Sequence, residues 1–151
     1  MRHLSLNVPT VLLVDPLQDD RTMYADYLRV CGLNPIEIDN TSDALRGAQK
    51  ADVIVTGIRG MGPFDGVELV RRLRDGDGTH DKPIIVLTAC AFEPDQQRAL
   101  AAGCDLFLAK PCLPDRLVSE IRAILIRQMP KKKQSAIAGR QRRARVIRVE
   151  R

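Results

Sequence analysis

The chain alternates five times between a short apolar run and a longer segment with helical spacing, and this alternation limits the fold more than any other feature. Residues 11–14 (Val-Leu-Leu-Val) are a continuous run of strand formers, and Asp19 and Asp20 then supply acidic residues suited to the start of a helix. Met23, Tyr27 and Cys31 recur every four residues, which predicts a buried stripe on that helix, with Gly32 as its stop. Residues 35–38 read as a second strand. Thr41 and Ser42 are expected to cap a small helix that reaches about residue 50, and residues 53–56 form a third strand before a long loop. Val67, Val70 and Leu73 give the next helix its buried face, and the run Asp75-Gly76-Asp77-Gly78 marks a turn. Lys82-Pro83 introduces a fourth strand, Pro94-Asp95 begins a helix that Gly103 ends, and residues 106–108 are the fifth strand. Pro114-Asp115 opens the last helix, whose Leu117, Val118, Ile121, Ile124 and Leu125 follow the spacing of a face packed on a core.

Five strand and helix pairs in alternation imply an α/β fold with a doubly wound, five-stranded parallel sheet and helices on both faces. Parallel strands need crossover connections, and these are right-handed. The flavodoxin-like strand order 2-1-3-4-5 is the natural candidate, and in such sheets functional groups gather beyond the carboxyl ends of the strands. Asp15, Gly57, Thr88 and Lys110 all fall at such ends.

A chain of 151 residues with 44% hydrophobic content has room for one core and no second folded unit of ordinary size. The longest nearly apolar stretch, residues 84–92, is far short of the roughly 20 residues of a membrane-spanning helix. Leu4, Leu6 and Val8 alternate with polar residues, so no continuous apolar region of a secretory signal is present, and a cytoplasmic location without membrane partners is expected. Cys31, Cys90, Cys104 and Cys112 lack C-x-x-C spacing and read as reduced thiols, with a link between Cys90 and Cys112 as a minor alternative. The net charge of +5 hides a division: residues 130–151 hold nine Lys or Arg against one Glu, +8, and leave −3 for the remainder. The chain therefore divides into an N-terminal extension (1–8), a folded domain (9–129) and a basic C-terminal tail (130–151).

The runs Val11-Leu12-Leu13-Val14-Asp15, Val53-Ile54-Val55-Thr56-Gly57-Ile58-Arg59, Asp65-Gly66, Pro83-Ile84-Ile85-Val86-Leu87-Thr88-Ala89 and Lys110-Pro111 occur in an order that resembles the receiver domain of bacterial response regulators, the CheY-like superfamily. The resemblance covers about residues 9–128. It implies that Asp15 is the first of two acidic residues that hold magnesium, with Pro16 where the second would stand. It implies that Thr88 is the hydroxyl residue that bonds the phosphoryl group, Phe107 the aromatic that changes rotamer on activation, and Lys110 the cation that pairs with the phosphoaspartate, followed by a cis bond to Pro111. The position of the phosphoaspartate itself is Gly57.

Phosphoryl transfer to a side chain needs an oxygen nucleophile, and magnesium needs hard oxygen ligands. Gly57 and Pro16 supply neither, so no catalytic residue, no cofactor and at most weak magnesium binding through Asp15 are expected. Thr56 should face away from the pocket because strand side chains alternate. Asp65 reads as a helix cap in a loop one residue longer than the usual pattern, and Asp19 and Asp20 as helix-start residues. Lys110, pointing into a partly enclosed pocket, is expected to pair with Asp15. The expected role is that of an atypical receiver, a phosphorylation-independent interaction module in two-component or phosphorelay signalling. The resemblance implies docking of a signalling protein, a histidine kinase or a downstream effector, or of a second copy, on the face made by the fourth helix, fifth strand and fifth helix, where Ile126 could add an exposed apolar contact. Two alternatives stay open: phosphorylation on a displaced carboxylate, and a nucleic-acid-associated protein. For the second, the tail residues Lys131, Lys132, Lys133, Arg140, Arg142, Arg143, Arg145 and Arg148 would meet phosphates or an acidic partner with strong salt dependence and no aromatic stacking. A weaker reading has Val146, Ile147 and Val149 add a strand to a partner's sheet.

Overall fold

The computed structural model describes residues 8–128; residues 1–7 of the N-terminal extension and the basic tail lie outside the described residues. Five parallel strands, β1 (Thr10–Val14), β2 (Asn34–Ile38), β3 (Val53–Thr56), β4 (Ile84–Thr88) and β5 (Leu106–Ala109), form one sheet in the order β2-β1-β3-β4-β5. The helices are α1 (Gln18–Val30), α2 (Thr41–Gly47, extended by a 3-10 turn, Ala48–Lys50), α3 (Gly66–Asp75), α4 (Glu93–Ala102) and α5 (Pro114–Arg127). This is the doubly wound order that the alternation implies.

Alternate residues of each strand build two separate cores, as the two-residue period of a strand requires. Val11, Leu13, Val53, Val55, Ile85 and Leu87 pack under α1 and α5, whereas Leu12, Val14, Ile54, Ile84 and Val86 pack under α2, α3 and α4. Both faces of the three central strands are covered, so all are near-continuous apolar runs.

Three local expectations need correction. The buried side of α1 is Tyr24, Ala25 and Leu28, while Met23 is exposed. Tyr27 and Cys31 are partly buried against the same core, so the four-residue spacing marks its margin, while the fully buried set is 24/25/28. The cap of α2 is Asn40, whose side chain accepts from the Asp43 N–H at 2.8 Å. Thr41 instead is buried, and its hydroxyl reaches the carbonyls of Met61 (3.0 Å) and Phe64 (2.9 Å), tying α2 to the loop after β3. Ile126 is half-buried beside Cys31, Leu33 and Leu125, on the α1 side of α5 rather than on the face toward β5. Gly103, by contrast, ends α4 in the left-handed conformation that the sequence suggests.

Candidate functional site

The carboxyl ends of β1, β3, β4 and β5 open into a cleft of about 360 Å³ lined by Asp15, Pro16, Gly57, Arg59, Thr88, Cys90 and Lys110 among others. β1 and β3 pair in register up to Val14 and Thr56, which sets Asp15 and Gly57 side by side as the next residues. Thr88 ends β4, and the Lys110 N–H bonds its carbonyl at 2.9 Å. The sheet thus brings Asp15, Gly57, Thr88 and Lys110 together.

Lys110 is the centre of the charge arrangement. Its ammonium donates to Asp15 at 2.8 Å, the pair expected from sequence, and also to Asp20 at 2.6 Å. Burial is the largest single influence on this lysine and works against its charge, yet the bonds and attraction of Asp15 and Asp20 together outweigh it and raise its pKa above the ordinary value. The second oxygen of Asp15 accepts the Leu17 N–H at 2.9 Å, and the Asp15 carbonyl accepts from Arg21 at 2.7 Å. Asp20 is therefore more than a helix-start residue. Only its place in the first turn of α1, on the side toward β5, makes it a partner, and no motif spacing announces that.

Gly57 and Gly66 carry a glycine for different reasons. A Cβ at Gly57 would meet nothing nearer than the Leu87 carbonyl at 3.6 Å, and its backbone is not left-handed, so the geometry there would accept a side chain. A Cβ at Gly66 would lie 1.8 Å from the Gly57 carbonyl oxygen, so only glycine fits. The Gly66 N–H bonds the Ile58 carbonyl at 2.7 Å, and Asp65 caps α3 by accepting from the Glu68 N–H at 2.9 Å. The cap agrees with the sequence reading.

The other site residues fall as follows. Thr88 is buried and its hydroxyl accepts the Cys90 N–H at 2.9 Å, closing the turn after β4. Thr56 is buried with its hydroxyl on the Gly57 carbonyl at 2.9 Å and is absent from the cleft lining. Phe107 is half-buried against the core under α2, α3 and α4. The Lys110-Pro111 bond is cis. The four cysteines are free thiols. An ion-pair chain missed in the sequence runs from Arg59 through Asp95 and Arg98 to Asp65. Among the described residues, no three His, Cys, Asp or Glu side chains converge as a metal site, and no helix is long and apolar enough to cross a membrane.

Cleft and strand order together define a CheY-like domain, and comparisons with known proteins agree. The response regulator receiver domain model matches residues 11–122. The phosphate regulon transcriptional regulatory protein PhoB of Pseudomonas aeruginosa is 36% identical over 123 residues, 80% of this chain but only 53% of that protein. The chain thus spans about half of that relative. The chemotaxis response regulator CheY4 of Vibrio cholerae superposes with a TM-score of 0.71 at 28% identity, covering 78% of this chain and 99% of that one. The receiver domain of the sensor histidine kinase PA1611 from Pseudomonas aeruginosa, which holds a magnesium ion in its active site cleft, superposes with a TM-score of 0.68 at 30% identity over 80% of this chain and 96% of its own. This chain belongs to the response regulator receiver domain family, and its general place is in two-component signalling.

Proposed function

We propose that the chain is an atypical receiver that accepts no phosphoryl group and has no catalytic activity of its own, acting as an interaction module in a two-component or phosphorelay pathway. The observation that carries this reading is Gly57: the backbone has room for a side chain there, yet the residue offers no oxygen. The charges agree with it. Magnesium needs several free oxygen ligands, but Pro16 offers no side-chain donor and the carboxylates of Asp15 and Asp20 are both turned to Lys110. This donor set fits a lysine and does not fit magnesium. Lys110, in turn, already has the anionic partners that a phosphoryl group would otherwise supply, so its charge is met without one.

The partner is a histidine kinase or downstream effector, docking in the cytoplasm on the face of α4, β5 and α5, where a second copy of the chain is the other candidate. Exposed Leu100 on α4 supplies an apolar contact there. Incubation with acetyl phosphate and magnesium, followed by intact-mass measurement, tests the reading. The wild-type chain is expected to keep its mass, and Gly57→Asp with Pro16→Asp to gain one phosphoryl group more readily than Gly57→Asp alone. A phosphoryl adduct on the wild-type chain, mapped to Asp15, Asp20 or Asp65, would replace this reading with that of a displaced acceptor.

A further inference from the structure

We propose that α4 is held in one position by an ionic latch, Arg59–Asp95–Arg98–Asp65, which fixes the shape of the α4 face without any chemistry in the cleft. The inference rests on the interaction-module reading and adds what sets the surface that the partner meets.

The apolar hold on α4 is weak. Of its ten residues only Asp95 and Ala99 are buried, and Leu100 is 47% exposed. α3, of the same length, buries Gly66, Val67, Leu69, Val70 and Leu73. A helix that buries one alanine as its only fully covered apolar side chain needs another anchor, since apolar burial is what normally fixes a surface helix.

That anchor is polar and lies at the first turn. The Asp95 carboxylate is 7% exposed, and a buried carboxylate must be paired. One nitrogen of Arg59, in the loop after β3, reaches both of its oxygens at 3.1 Å. Arg98, one turn along α4, reaches it at 3.2 Å and uses its other nitrogen to bond Asp65 at 3.0 Å. Asp65 is itself fixed as the cap of α3. A second Arg59 donor, Nε, meets Cys90 at 3.2 Å in the loop that leads into α4. Four residues thus join the loop after β3, the start of α3 and the first turn of α4 into one unit. Removing Arg59 leaves the covered Asp95 carboxylate with only the half-exposed Arg98, which Asp65 also holds, so the members of the latch depend on one another.

Amide hydrogen exchange on the full chain tests the latch, with α1 in the same molecules as the internal reference. Asp95→Asn and Arg59→Gln are each expected to speed exchange across residues 93–102 at least tenfold relative to α1. The double variant should go little further, because either change opens the same unit. Arg59→Gln leaves α4 itself untouched, so its effect separates the latch from loss of a helix-end charge. Unchanged exchange in α4 for Arg59→Gln, or an equal rise in α1 and α4, would overturn the inference. Phosphorylation plays no part in this measurement: a phosphoryl adduct with the latch intact would sink the functional reading alone, and a silent mass spectrum with a free α4 would sink the latch alone.

Discussion

Substitution of Gly57 gives the sharpest test of the charge balance in the cleft. Because the backbone there is not left-handed and a Cβ finds only ordinary contacts, Gly57→Ala is expected to stabilise the domain by about 0.4–1 kcal/mol through the lost freedom of the unfolded chain. Gly57→Asp gains the same term but places a third carboxylate beside a Lys110 already shared by two, in a pocket whose net charge from Asp15, Asp20 and Lys110 is one negative. At a separation of about 6 Å and an effective dielectric of about 20, one excess negative charge costs on the order of 3 kcal/mol. Gly57→Asp should therefore lie about 2–3 kcal/mol below Gly57→Ala in urea unfolding at pH 7 and low salt, with the new group's pKa raised by about 2. A raised carboxyl pKa means that the penalty is present at high pH and disappears as pH falls through about 6 toward 4. Unfolding curves of both variants at pH 7 and pH 4.5 read it directly. Equal stability at pH 7, or a gap that ignores pH, would refute the picture of a pocket already saturated with negative charge.

Gly66→Ala should behave in the opposite sense to Gly57→Ala: its Cβ collides with the Gly57 carbonyl, and a loss of about 2 kcal/mol or more is expected by the same unfolding assay. Lys110→Met leaves Asp15 and Asp20 facing each other without a cation and should cost about 2 kcal/mol or more at pH 7. In the wild-type chain the raised pKa of Lys110 means that its contribution is complete below the ordinary lysine value and fades as pH climbs through the higher folded value; stability that shows no fall above the ordinary lysine value would contradict this. Burial pushes the Cys104 thiol up to about 11, so under native conditions iodoacetamide should label Cys31 and Cys90 well before Cys104, as peptide mapping will read.

Sheet order, strand positions and the meeting of Asp15, Gly57, Thr88 and Lys110 were legible because each rests on local apolar runs and on a topology with few alternatives. Asp15–Lys110 was legible because a covered lysine needs an anion. Asp20 was not: it enters through the placement of α1 against the β5 end, which no spacing records. The stripe of α1 was legible only at its margin: Tyr27 and Cys31 pack partly on the core, but Met23 satisfies the same period while exposed, and the fully buried side is Tyr24, Ala25 and Leu28. Arg59, Asp95 and Arg98 stayed hidden because isolated charges in a sequence look like solvated surface, and only the scant apolar cover of α4 gives them weight.

The embrace of Lys110 by Asp15 and Asp20 has a consequence for control. If Gly57 takes no phosphoryl group, the domain reaches its working shape as soon as it folds, whatever the supply of phosphodonors in the cell. Such a component has no off position to be pushed into; its influence can be tuned by how many copies are made and by what competes for them.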